Sequence, residues 1–208
     1  MNNFKYGIEH LAALDILNTL SLYIFFFCEE DIMELGILYW INALHSPVLD
    51  RVMVAVFNNL VGSKGEIWII LGIVLLLIPK TRKTGVCVLS AYIIAYYVGD
   101  GILKDLIARP RPCMVDETVS LLVSRPSSFS CPSVHSMLAF ASAASVFWFH
   151  KKAGIVALIF AALIGLSRMY FFVHYPSDVL FGALLGFAIG TAVCVLFKKA
   201  DGKKFSDE

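Results

Sequence analysis

The stretch from Ser167 to Asp178 sets a cation, an imidazole and a carboxylate in one short polar break between two apolar runs. Ionisable residues at the edge of a bilayer are expensive and mark a site by default. Arg168 offers a forked donor for an oxyanion, and His174 can serve as nucleophile or proton carrier. Asp178 follows four residues later, where it can orient the histidine ring as the third member of a triad orients its base. Pro176 suits the first turn of a new helix, so His174 falls just ahead of a helix N-terminus.

Two other stretches carry complementary chemistry. Lys104, Arg109 and Arg111 stand beside Pro110 and Pro112, which end a helix and turn the backbone outward. Three cations at the mouth of a span suit a multiply charged anion such as phosphate. Arg109 reads either as a phosphate-approach residue or as an interfacial anchor, and Asp100 as the i,i+4 partner of Lys104. Further on, Pro132 is the expected first residue of a helix. Free N–H groups there bind phosphate, the Ser133 hydroxyl adds a donor, and His135 lies in the first turn beside them.

These residues must be held by a strongly apolar chain. Of 208 residues, 59% are hydrophobic, and the mean hydropathy is +0.78. That is too apolar for an ordinary soluble domain. A net charge of +1 gives no sign of a nucleic-acid partner, which would need a concentrated basic face, and none is expected. The five cysteines, Cys28, Cys87, Cys113, Cys131 and Cys194, show no metal-ligand spacing. The expected fold is all-α: a polytopic bundle of six transmembrane helices forming one membrane-embedded domain over residues 1–208, with its motifs in a core at 85–198. The expected spans are Leu11–Cys28, a helix through Ile67–Ile78 that starts near Leu60–Glu66, Gly85–Leu103, Val134–Phe149, Ala153–Val173 and Val179–Phe197. Leu35–Leu44 is apolar but short and suits an interfacial helix. Gly182, Gly186 and Gly190 recur every four residues, the pattern of closely packed membrane helices.

Basic residues near the span ends assign the sides. Lys5, Lys80, Arg82, Lys83, Lys151, Lys152, Lys198, Lys199, Lys203 and Lys204 fall together on one side, so both termini are expected in the cytoplasm. The motifs then share the extracytoplasmic face of the cell membrane. Cys113 and Cys131 bracket the loop on that face, where disulfides persist. A Cys113–Cys131 disulfide is therefore expected, with two unpaired thiols as the other reading.

Taken together, Lys104-x6-Arg111-Pro112, Pro132-Ser133-x-His135 and Ser167-Arg168-x5-His174-x3-Asp178 resemble the three-part signature of the type 2 phosphatidic acid phosphatase superfamily. One position departs: Val134 stands where that family usually has glycine. The resemblance implies that Lys104, Arg111 and Arg168, assisted by Ser133, neutralise the phosphate oxygens. It further implies that His174 attacks phosphorus to form a phosphohistidine, that Asp178 holds the His174 ring, and that His135 protonates the leaving group and then activates water. Fixed cations can neutralise a phosphoryl transition state without a metal, so neither metal nor cofactor is expected. The expected substrate is a membrane lipid phosphate or diphosphate, and the small chain with its outward-facing site resembles bacterial undecaprenyl diphosphate phosphatases, which favours undecaprenyl diphosphate. Phosphatidylglycerophosphate or phosphatidate hydrolysis and lipid phosphotransfer are the near alternatives. An anion-binding membrane transporter is the alternative from another class.

Overall fold

The computed structural model describes residues 32–62 and 64–204, and every regular element among them is helical. The chain divides into two compact units, 1–37 and 38–208. The expected first span, Leu11–Cys28, lies outside the described residues. Of the first unit only 32–37 is described, the opening turns of α1 (Ile32–Asn42), where Ile32 and Met33 are exposed. The second unit continues with α2 (Pro47–Met53), capped by the Ser46 hydroxyl, which accepts from the Leu49 N–H, and running into a π-helical turn at Val54–Leu60. Next come α3 (Ile67–Leu77) and α4 (Arg82–Val98), which passes through a second π-helical turn, Gly99–Leu103, into α5 (Lys104–Ile107). Then follow the single turn α6 (Pro112–Val115), α7 (Val134–Phe149), α8 (Lys151–Tyr170) and α9 (Pro176–Lys204).

Among the described residues, three stretches are long and apolar enough to cross a membrane: Arg82–Val115, Lys151–Tyr170 and Pro176–Gly202. Ile32–Asn42, Ile67–Leu77 and Val134–Phe149 are shorter apolar helices. The second expected helix, placed to start near Leu60–Glu66, begins at Ile67 with Glu66 as its N-cap. Gly62 (φ 87°) and Gly65 (φ 74°) adopt left-handed conformations that a right-handed helix cannot include. Pro132 likewise stays outside α7, whose N-cap is the extended Ser133. The Ser133 N–H is drawn to the Asp178 carbonyl at 3.1 Å, so the helix starts only at Val134.

Helix α7 is the hub, packed by α4, α8 and α9. Its small residues, among them Ala139, Ser142 and Ala143, are fully buried. The glycine stripe of α9 lies against α7 backbone. A Cβ at Gly182, Gly186 or Gly190 would come within 2.6, 2.2 and 2.2 Å of the carbonyl oxygens of Ser133, Met137 and Ala141. The seam thus ends at Ser133, so this close packing fixes where the second motif stands relative to the third.

Candidate active site

A cavity of about 380 Å³ opens where the end of α4, the start of α7 and the turn between α8 and α9 converge. Of the seven residues expected at the site, Lys104, Arg111, His135, Arg168 and His174 line it. Ser133 and Asp178 do not: both are fully buried behind the wall.

The cations are tethered before any anion arrives. Lys104 donates to Asp100 at 3.0 Å and to the Ser128 hydroxyl at 3.1 Å. Arg111 donates through Nε to the Ser128 carbonyl at 2.6 Å and through one terminal nitrogen to the Val173 carbonyl at 2.8 Å. Its other terminal nitrogen donates to the Ser128 hydroxyl at 3.0 Å. Arg168 donates to the Ser167 hydroxyl at 3.0 Å and lies over the Phe171 ring. These positions follow from local sequence. The helix carrying Lys104 stops at Ile107 because Ala108 turns left-handed (φ 51°) ahead of Pro110, and Pro112 opens α6 one residue after Arg111.

His174 is buried at 3% exposure, with partners on both ring nitrogens. Its Nε2 accepts from Arg111 at 3.0 Å, whereas Nδ1 faces the Asp178 carboxylate at 3.7 Å. A donor on one side and a carboxylate on the other select the tautomer with the proton on Nδ1 and the lone pair on Nε2. Burial, reinforced by Arg111 and opposed by Asp178, pushes the imidazole down to about 4, so the ring is neutral near pH 7. Asp178 occupies the third position of α9 and accepts from the Tyr175 N–H at 2.9 Å, as the acidic member of a capping box does.

The motifs did not reveal everything that holds this carboxylate. The Ser130 hydroxyl donates to Asp178 at 2.5 Å and lies 3.4 Å from His174 Nδ1, so it fills the gap between carboxylate and ring. Arg109, expected as a phosphate-approach residue or an interfacial anchor, is held by the third motif. It pairs with Asp178 at 2.8 Å, donates to Ser177 at 2.7 Å and stacks on Tyr175 at 3.9 Å. Arg109 sits inside the first motif stretch and Ser130 two residues ahead of Pro132, yet only their contacts across 69 and 48 positions assign them. Ser133 has its hydroxyl engaged by Ser136 at 3.0 Å, which places it in the α7–α9 junction behind the cavity.

His135 lines the opposite part of the cavity. The backbone of Gly62 lies within hydrogen-bonding reach of its ring, while its Nε2 is buried with no partner. Val134 also forms part of the wall. Its methyl group packs toward Gly99, where an added Cβ would sit 3.4 Å away, so the glycine that opens the π-helical turn after α4 accommodates the valine of α7.

The loop from Asp116 to Pro132 closes over the site with Val123, Ser124, Pro126 and Ser128 in the cavity wall. No disulfide joins Cys113 to Cys131. Cys113 is turned fully into the core, and hydrogen bonds gather the loop ends instead: Ser130 N–H donates to the Arg109 carbonyl at 2.8 Å, and Arg125 donates to the Cys113 carbonyl. Among the described residues no group of three or more His, Cys, Asp or Glu is placed to hold a metal ion.

The family described as the PAP2 superfamily matches residues 84–201. The chain is 33% identical over 121 residues to an undecaprenyl-diphosphatase of Sulfolobus acidocaldarius, covering 58% of each chain. It is 36% identical over 119 residues to the bacitracin transport permease protein BcrC of Bacillus licheniformis, covering 56% of this chain and 58% of that one. The chain thus spans less than two thirds of the length of these relatives. Among solved structures, a transmembrane PAP2-type phosphatidylglycerolphosphate phosphatase from Bacillus subtilis aligns with a TM-score of 0.62 at 29% identity. That alignment covers 88% of this chain and 96% of the other.

Proposed function

The chain belongs to the PAP2 superfamily, and from that premise we propose that it hydrolyses a membrane lipid phosphate or diphosphate, undecaprenyl diphosphate before others, through a phosphohistidine. The observation that carries this reading is His174. Its unprotonated Nε2 faces Arg111 within a cavity that Lys104 and Arg168 also line. A phosphoryl group bound by those cations would lie against the nucleophile, with charge neutralisation and alignment supplied together.

In the first step Nε2 bonds to the terminal phosphorus, the bond from that phosphorus to the leaving oxygen (the bridging oxygen of a diphosphate, the lipid oxygen of a monoester) breaks, and that oxygen keeps the electron pair. His135 donates a proton to it. In the second step water attacks phosphorus, the N–P bond breaks and phosphate leaves, with His135 taking the water's proton. Asp178, itself held by Ser130, Arg109 and Tyr175, offsets the positive charge that grows on His174. Ser133 acts from behind the wall, through the α7–α9 junction.

Lipid substrates fit a cavity at the ends of apolar helices, and the relative from Sulfolobus acidocaldarius supports a polyprenyl diphosphate. The Bacillus subtilis structure supports phosphatidylglycerophosphate as the second reading. Phosphate release from polyprenyl diphosphate, phosphatidylglycerophosphate and phosphatidate, measured side by side, decides between them; release from none of the three would overturn the enzymatic reading. The distribution of basic residues near the span ends supports a site outside the cytoplasm. A cysteine at the exposed Ser177 should therefore react with a membrane-impermeant reagent added to intact cells, and one at Lys152 should not. The reverse pattern would invert the protein.

A further inference from the structure

The cavity holds one more cation than the signature accounts for. Lys64, on the loop ahead of α3 and outside the stretch matched by the family, lines it together with Lys104, Arg111 and Arg168. Among the described residues that line it, Asp100 is the only carboxylate, so this part of the wall carries a clear positive excess.

Lys64 is not a loosely placed surface lysine. Its N–H donates to Glu66 at 2.9 Å, and its carbonyl accepts from the Tyr92 hydroxyl at 2.7 Å. Its ammonium donates to the Tyr96 hydroxyl at 2.5 Å and lies 3.9 Å from Asp100, the carboxylate that also holds Lys104. The left-handed Gly62 and Gly65 bracket it, and a Cβ at Gly62 would come within 2.0 Å of Glu66. Backbone and side chain are therefore both tied to α4 and its continuation, although the side chain is 56% exposed where it lines the cavity.

The location decides what this cation meets. Gly62, two residues away, is the backbone that lies against His135. In an in-line displacement the nucleophile and the leaving oxygen occupy opposite sides of phosphorus. With His174 on the nucleophile side, the leaving oxygen belongs on the side of His135 and of the Lys64 loop. A diacylglycerol or glycerol alkoxide carries no further charge there. The departing half of a diphosphate is itself a phosphate, and negative charge grows on it as the bridging bond breaks.

We infer that Lys64, with the Tyr96 hydroxyl, forms a second anion subsite for the lipid-linked phosphate of a diphosphate substrate, and so sets preference for diphosphates over monoesters. This rests on the phosphatase reading above. During the first step the bridging P–O bond breaks and its electron pair stays on the lipid monophosphate, whose charge Lys64 pairs with; no further reactant is needed.

The test uses the purified full chain in detergent, with farnesyl diphosphate, a lysophosphatidate monoester, and inorganic pyrophosphate and phosphate as competing inhibitors. Lys64→Met keeps the stem and removes the charge. It should lower the diphosphate-to-monoester ratio of kcat/KM about tenfold, the scale of one charge-assisted hydrogen bond, and weaken inhibition by pyrophosphate more than by phosphate. Lys64→Arg should restore most of the ratio. An unchanged ratio in Lys64→Met, or equal losses on both substrates without recovery in Lys64→Arg, would overturn the subsite while leaving the phosphatase reading intact. Wild-type protein that hydrolyses only the monoester would overturn the diphosphate preference. Wild-type protein that releases phosphate from neither would overturn the phosphatase reading and the subsite with it.

Discussion

The two histidines share one cavity but have opposite surroundings. His174 has Arg111 on one nitrogen and Ser130 and Asp178 on the other, and Asp178 is held in turn by Arg109 and a backbone N–H. His135 is steadied on one side by the Gly62 backbone, and its Nε2 is buried without a partner. Buried polar atoms without partners are uncommon and point to strain or function. The contrast matches the proposed division of labour. A nucleophile must hold one tautomer and one orientation before substrate binds, whereas a proton donor must keep a nitrogen open for an oxygen that only substrate brings.

Breaking the saturated side should have the largest effect. His174→Ala should lower phosphate release by roughly 10⁴-fold or more and abolish any phosphoenzyme trapped from labelled substrate at alkaline pH; near-normal turnover would remove His174 from the nucleophile role. On the open side, His135→Asn should lower kcat by about 10²- to 10³-fold yet still allow a phosphoenzyme to form from a substrate with a good leaving group. Equal loss of phosphoenzyme in both variants would erase the distinction between the two histidines.

Ser130→Ala sharpens the comparison, because it loosens the saturated side without removing a reacting group. A loss of about tenfold in kcat with little change in KM is expected. The pH profile should move too. In the native protein His174 is neutral down to about pH 4, so the acid limb should lie well below the ordinary histidine value of about 6.5. Without the Ser130 hydroxyl, Asp178 turns more of its charge toward the ring and the limb should shift to higher pH. A limb left in place would mean that Ser130 does not act through His174. The same depressed pKa has a stability consequence. Above about pH 6.5 both native and unfolded rings are neutral; between about 6.5 and 4 only the unfolded ring takes up a proton, so stability should fall across that window as the solution is acidified.

The smallest effect on chemistry should come from the α7–α9 seam. Gly186→Ala puts a methyl within 2.2 Å of the Met137 carbonyl and should lower stability by about 1–3 kcal/mol, seen as a reduced Tm, with activity per folded molecule changed far less than in Ser130→Ala. A large activity loss at unchanged Tm would show that the seam tunes the site directly.

Much of this arrangement was legible without coordinates because it depends on local rules. Hydropathy marks apolar helices wherever they fold, and Val134–Phe149 was expected at the bounds it has. Pro176 opened α9 as its fixed φ predicts, Asp100 paired with Lys104 across one helical turn, and the glycines every four residues found a helix to pack against. The departures fall where backbone geometry or a distant partner overrides local preference. Two left-handed glycines held α3 back to the end of its expected starting stretch, the Asp178 carbonyl held Ser133 out of α7, and buried Cys113 left its loop to be gathered by hydrogen bonds.

The sequence by itself determined the solvent this protein folds in, the places of its helices and the residue types assembled for phosphate chemistry, because burial in lipid and helical periodicity act over a few turns of chain. Only the tertiary structure decided that Ser133 stands behind the wall, that Ser130 and Arg109 share Asp178, and that Lys64 joins the cavity. Those contacts link residues tens of positions apart. Their partners are chosen by how closely helices such as α7 and α9 can approach, a quantity that no local spacing encodes.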